Sequence, residues 1–131
     1  LSDVRNGTLC GHNIKRFDIP FLACRFLAAG MAIPPQLNVA GKKPWEVPHI
    51  DTCELLRFGG GDMLSLDAAC LMLGIESPKT GDVSAATVWE AYRRGDHDGI
   101  AAYCSADVRA VVRLWRRISG FAEQMRGQVA G

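Results

Sequence analysis

The 131-residue chain has no apolar run long enough to span a membrane, and no stretch reads as a secretory signal. A cytoplasmic protein without a membrane partner is therefore expected. An excess of charge is missing too: fifteen Lys and Arg face fourteen Asp and Glu, for a net charge of +1. Near-neutrality excludes no partner, because one local basic groove suffices for nucleic acid. Cys-x-x-Cys pairs are absent. The five cysteines (Cys10, Cys24, Cys53, Cys70, Cys104) are odd in number, widely spaced and set among apolar neighbours, a pattern expected of reduced, buried thiols in a cytosolic protein. The three histidines (His12, His49, His97) form no zinc-type spacing with them. Nor is there an internal repeat or a low-complexity linker. What is present, 48% hydrophobic and 22% charged residues, has the balance and length of a single soluble globular domain.

Short strands alternate with helices. Residues 7 to 12, GTLCGH, read as an apolar strand ending at a glycine turn. Helical spacing of Phe21, Cys24, Leu27 and Ala28 predicts a helix from about Pro20 to Ala29, stopped by Gly30. A loop rich in proline and lysine follows, to Pro48. His49, Ile50 and Asp51 read as a second strand, with Thr52 placed to cap a helix toward Phe58. After the flexible run Gly59, Gly60, Gly61, the segment SLDAACLMLGI predicts a small helix capped by Ser65 and closed by Gly74. A polar loop spans Lys79 to Asp82. A further helix carries Val88, Trp89 and Tyr92 and ends at Gly95. The last predicted helix runs from about Gly99 to Ser119, with Tyr103, Asp107, Val111, Leu114 and Ile118 on one stripe. The late basic residues (Arg93, Arg94, Arg109, Arg113, Arg116, Arg117 and Arg126) read as a solvated face. This alternation points to an α/β protein.

Two stretches carry chemistry. In GHNIKRFDIPFL, residues 11 to 22, Asn13, Phe17 and Asp18 stand where a strand turns into a helix. Asp18 precedes Pro20 closely enough to be an N-cap, and it is equally placed to be a reactive acid. Tyr103 and Asp107, four residues apart, project from the same helix face. An acid on an apolar stripe is costly unless a cation or hydrogen bonds receive it, so Asp107 either satisfies a buried partner or serves a site. Asp51 reads as structural or as part of a cap, and Asp96-His97-Asp98 as capping and solvation.

Taken together, Asn13-x-x-x-Phe17-Asp18 and Tyr103-Cys104-x-x-Asp107 resemble two of the three motifs of the DEDD superfamily of 3′→5′ exonucleases, in its tyrosine (DEDDy) branch. GHNIKRFDIPFL and AAYCSADVRAVVRLWRR look like the exonuclease domains of family-B DNA polymerases and the PolB-like exonucleases. HIDTCELLRFGGGDMLSLDAACLMLGIESPKTGDV is similar to the same group, so that the resemblance covers residues 7 to 118, with 119 to 131 as a tail. It implies a ribonuclease H-like (DnaQ-like) fold and 3′→5′ removal of nucleotides from single-stranded DNA or DNA 3′ ends. It also implies Mg²⁺ or Mn²⁺ in a two-metal site. By the same resemblance Asp107 ligates one ion and Asp18 contacts the second, while Tyr103 orients the attacking water. Asn13 steadies the site or the terminal nucleotide. Lys79 matches a lysine near the substrate phosphate, with a solvated loop lysine as the other reading. Phe17 is either a substrate contact or packing beneath the turn.

The family's first motif, a strand bearing Asp-x-Glu, does not occur within the 131 residues. With Leu1 in place of Met, the expectation is the C-terminal portion of such a domain, truncated at its N-terminus, with an incomplete sheet and little activity of its own. The competing readings are a degenerate nucleic-acid-binding fragment, an RNA-directed exonuclease and the proofreading domain of a family-B polymerase.

Overall fold

Two parallel strands, β1 (Cys10–Gly11) and β2 (Ile50–Asp51), pair with Cys10 opposite Ile50 and Gly11 opposite Asp51. The structure is a computed structural model that describes residues 7–78 and 81–127. Parallel neighbours require a long crossover, and it carries helix α1 (Ile19–Ala28). This mixed arrangement is compatible with the α/β class. The first strand is shorter than the apolar run GTLCGH suggests, because side chains take over its hydrogen bonds at both ends. The Leu9 N–H donates to Nδ1 of buried His49 at 3.1 Å. Since Nδ1 accepts there, the ring proton sits on Nε2, which donates to the Gln36 carbonyl at 2.7 Å. At the other end, the Thr52 hydroxyl donates to the Gly11 carbonyl at 3.2 Å. Its one proton being used, it accepts from His12 Nδ1 at 2.8 Å.

The chain leaves β1 through Asn13, in the left-handed conformation (φ 61°) that Asn tolerates better than most residues. It then enters a π-helical turn, Ile14–Asp18, that runs directly into α1, the Ile19 N–H reaching back five residues to the Ile14 carbonyl. Pro20 supplies the reason. It has no N–H for the carbonyl four residues back, and its ring would crowd that carbonyl in a regular α-turn. Widening the turn relieves both problems. Gly11 is equally constrained, because a Cβ there would collide with the Ile14 side chain.

Asp51 ties these pieces together. Only 4% exposed, its Oδ1 accepts from the backbone N–H groups of Asn13 (2.8 Å), Cys53 (3.0 Å) and Glu54 (3.3 Å). Oδ2 accepts from Lys15 N–H at 3.0 Å. One carboxylate thus caps both the π turn and α2 (Thr52–Arg57). The cap expected of Thr52 belongs to Asp51, because Thr52 is already the first helical residue and its hydroxyl is spent on Gly11. A 3.0 Å ion pair between Lys15 and Glu54 reinforces the junction. Buried Ile19, Leu37, Val47 and Cys53 lie alongside.

The chain divides into two compact units, Leu1–Glu54 and Leu55–Gly131. In the second, the three consecutive glycines expected to be flexible are held, since Arg57 donates to the carbonyls of Gly60 (3.1 Å) and Gly61 (2.9 Å). Ser65 caps α3 (Leu66–Met72) as expected, accepting from Ala68 N–H at 3.1 Å. Gly74 closes that helix at φ 67°. Helix α4 (Val88–Arg93) follows, and Asp96 opens α5 by accepting from Gly99 N–H at 3.0 Å. α5 spans His97–Gly127, longer at both ends than its apolar stripe suggests. Ala69, Cys70, Val83, Ala91, Ala110, Leu114 and Ile118 are buried in this unit. The thiols are all free, but Cys10, Cys24 and Cys104 are exposed, leaving only Cys53 and Cys70 as the buried cysteines expected.

Replacing Asp51 by Asn keeps one acceptor oxygen and turns an amide donor toward N–H groups that need an acceptor. The expected loss is about 1–3 kcal/mol, measured by urea unfolding. An unchanged midpoint would mean that the four bonds do not hold the junction.

Candidate active site

Asp18 is the last residue of the π turn, with helical backbone (φ −64°, ψ −45°) and no side-chain capping bond. The helix-cap reading of this acid is therefore corrected. Helical structure has begun five residues earlier, where Asp51 does the capping. Its carboxyl is pushed above the ordinary carboxylate value, chiefly by partial desolvation and further by the charge of Asp51; a hydrogen bond from its own backbone N–H acts the other way. Such a group gains from any cation brought to it.

Asn13 and Phe17 share the turn with Asp18. The Asn13 N–H is bound by Asp51, and its carbonyl accepts from Phe17 N–H at 3.2 Å. Phe17 does not pack beneath the turn. It is 63% exposed, its ring parallel to that of Phe21, because the widened turn carries it away from the side on which Ile19 is buried.

Tyr103 and Asp107 are brought together on α5, both half-buried, on the stripe whose deeper members are Ala110, Leu114 and Ile118. Desolvation raises the Asp107 carboxyl, and a hydrogen bond from the Tyr103 hydroxyl partly offsets this. Tyr103 is raised as well, by desolvation first and then by the charge of Asp107. The phenol is thereby kept protonated and aimed at the acid. Tyr103 also lines a cleft of about 180 Å³ with Pro78, Gly81, Val83 and Ala106. Lys79 lies outside the described residues; its neighbours Pro78 and Gly81 both border this cleft.

Asp18 belongs to the first unit and Asp107 to the second. Among the described residues no three His, Cys, Asp or Glu side chains come together so as to hold a metal ion. The acid whose charge acts on Asp18, Asp51, already has both oxygens engaged by N–H groups. A complete site for a hard divalent ion, which takes several oxygen ligands, is not built by these residues.

Comparison with known proteins adds the deciding observation. Residues 2–129 match the family of predicted 3′-5′ exonucleases related to the exonuclease domain of PolB. The chain belongs to this family. No curated protein and no solved structure matches it. The match takes in Asn13, Asp18, Tyr103 and Asp107, so the residues that carry the exonuclease resemblance all lie inside the family's span. Among the described residues of this family member, no helix is long and apolar enough to cross a membrane. Sequence reasoning placed Asp51 as structural but missed its reach across to Asn13 and Lys15; an acid directly ahead of the α2 start was the available signal. The outward-facing Phe17–Phe21 pair was not foreseen, since both residues fit an apolar helix pattern.

The raised Asp107 pKa has a thermodynamic sign. The folded protein holds that proton more tightly than the unfolded chain, so stability is greatest below the unfolded value near 3.8 and declines as pH rises through the folded value. Asp107→Asn keeps an acceptor for Tyr103 and removes the charge. It should melt at or above the wild-type temperature at pH 7, with the difference closing toward pH 4. A lower melting temperature at pH 7 would instead make Asp107 a structural anchor.

Proposed function

We propose that this chain serves the chemistry its family name describes, hydrolytic removal of nucleotides from a nucleic-acid 3′ end, with single-stranded DNA as substrate. The observation that carries the reading is the Tyr103–Asp107 pair: a phenol held protonated, hydrogen-bonded to a carboxylate that burial leaves short of compensation. While its proton points to Asp107, the Tyr103 oxygen is left to accept from a water and so orient it for attack on phosphorus. Asp18, on the other motif, is the second acid, and Asn13 positions the terminal nucleotide. The resemblance places these motifs in a ribonuclease H-like fold that uses Mg²⁺ or Mn²⁺, with two further carboxylates on an Asp-x-Glu strand. Those carboxylates are not among the 131 residues, so the part supplied here is the Asp18 and Tyr103–Asp107 portion of the site.

On 5′-labelled single-stranded DNA with Mg²⁺ or Mn²⁺, the 131-residue chain should release little or nothing. A form carrying an Asp-x-Glu strand ahead of residue 7 should shorten the DNA from its 3′ end. In that form Asp107→Ala should abolish turnover and leave binding intact. Tyr103→Phe should slow turnover by roughly ten- to a thousandfold, as for loss of a water-positioning group. An Asp107→Ala protein that folds and still cleaves would defeat the proposal. Robust digestion by the 131 residues alone would show that the ligand set is wrongly assigned.

A further inference from the structure

We infer that Phe21 and Phe17 together form a stacking surface for the bases of a single nucleic-acid strand. The inference rests on the exonuclease reading and deepens it, because it names the surface that presents the strand beside Asp18. The two rings are parallel within 3°, with centroids 6.1 Å apart, and they are 57% and 63% exposed. Phe17 lies on the widened turn and Phe21 one turn further along, so both project from one side of a continuous helical segment. Aromatic faces left in water and aligned with each other offer what an unpaired base lacks, a flat apolar partner.

Charge around the pair favours a polyanion. Residues 14 to 28 contain Lys15, Arg16 and Arg25 but a single acid, Asp18. Lys15 is committed to Glu54, whereas Arg16 and Arg25 are exposed and stand on either side of the rings in sequence, where phosphates of a bound strand would pass. A second aromatic pair shows the contrast. Trp89 and Tyr92 are stacked and similarly exposed, at 63% and 58%. Their surroundings are electrically mixed: Glu90 lies between them, and Arg94 is paired with Asp96. That pair has the rings without the basic setting, and serves as an internal control.

The test is binding of fluorescently labelled oligo(dT) and oligo(dA) to the purified 131-residue chain in EDTA, followed by anisotropy, with melting temperatures taken in parallel. Phe21→Leu keeps an apolar side chain and removes the ring. It should weaken binding of both oligonucleotides by about tenfold or more, since each base–ring stack is worth roughly 1–3 kcal/mol and is indifferent to base identity. Phe21→Tyr should restore binding, and Trp89→Leu should bind like the wild type. Phe21→Leu binding as tightly as the wild type, or a wild type that binds neither oligonucleotide, overturns the inference. So does a Phe21→Leu variant that changes only self-association, which would make the surface a protein contact. The exonuclease reading is judged separately, by cleavage in the form carrying Asp-x-Glu. A Phe21→Leu version of that form cleaving with unchanged KM removes the stacking surface and leaves the reading standing.

Discussion

One buried carboxylate organises the first unit. Asp51 ends β2, begins α2 and reaches across the sheet to the turn that follows β1, accepting four backbone N–H groups that would otherwise be orphaned at two helix starts. Each contact is ordinary for a helix cap. Their convergence on one side chain fixes the spacing of β1 and β2, the left-handed step at Asn13 and the entry angle of the π turn together. The acid's burial is tolerable because its lone pairs are filled by donors. Lys15 and Glu54 add a second link between the same two elements, one of them with a side chain only 6% exposed.

Against that background the other acids of interest stand out by what they lack. Asp51 is surrounded by donors. Asp18 and Asp107 sit where desolvation disfavours their charge, and each has only one modest compensation, a backbone N–H for the first and a phenol for the second. A protein whose acids served only packing would be expected to satisfy them as Asp51 is satisfied. Carboxylates left under-compensated on the two motifs that mark the family are suited to a charge that arrives with substrate or ion. The π turn belongs to the same logic, since a widened helical turn presents Asp18 and Phe17 outward while Ile19, the next residue, remains buried.

Much of the local structure was written in residue types. Ser65 and Gly74 marked the ends of α3, Gly95 the end of α4, and the apolar stripe of α5 its buried face, because capping, left-handed backbone and helical periodicity are decided by neighbours in sequence. The pairing of Tyr103 with Asp107 was legible for the same reason: four residues on a helix put two side chains on one face. The basic residues of α4 and α5 were likewise read as a solvated face, and Arg93, Arg94, Arg109, Arg113, Arg116 and Arg117 are exposed.

Tertiary structure decided what depended on partners far along the chain. Asp18 looked like a cap because proline followed it, yet the cap came from Asp51, more than thirty positions away, and no local pattern announces such a donor–acceptor match. Thr52 looked like a cap until Gly11 claimed its hydroxyl. Phe17 and Phe21 fitted an apolar helix face, and only the widened turn showed them facing water. The sequence by itself determined which residues could bear the chemistry and where helices would stop, since those follow from side-chain type and short-range spacing. Which polar group meets which, and which aromatic ring stays uncovered, was left to the tertiary structure. Those outcomes depend on competition among distant groups for the same few hydrogen bonds and the same buried volume.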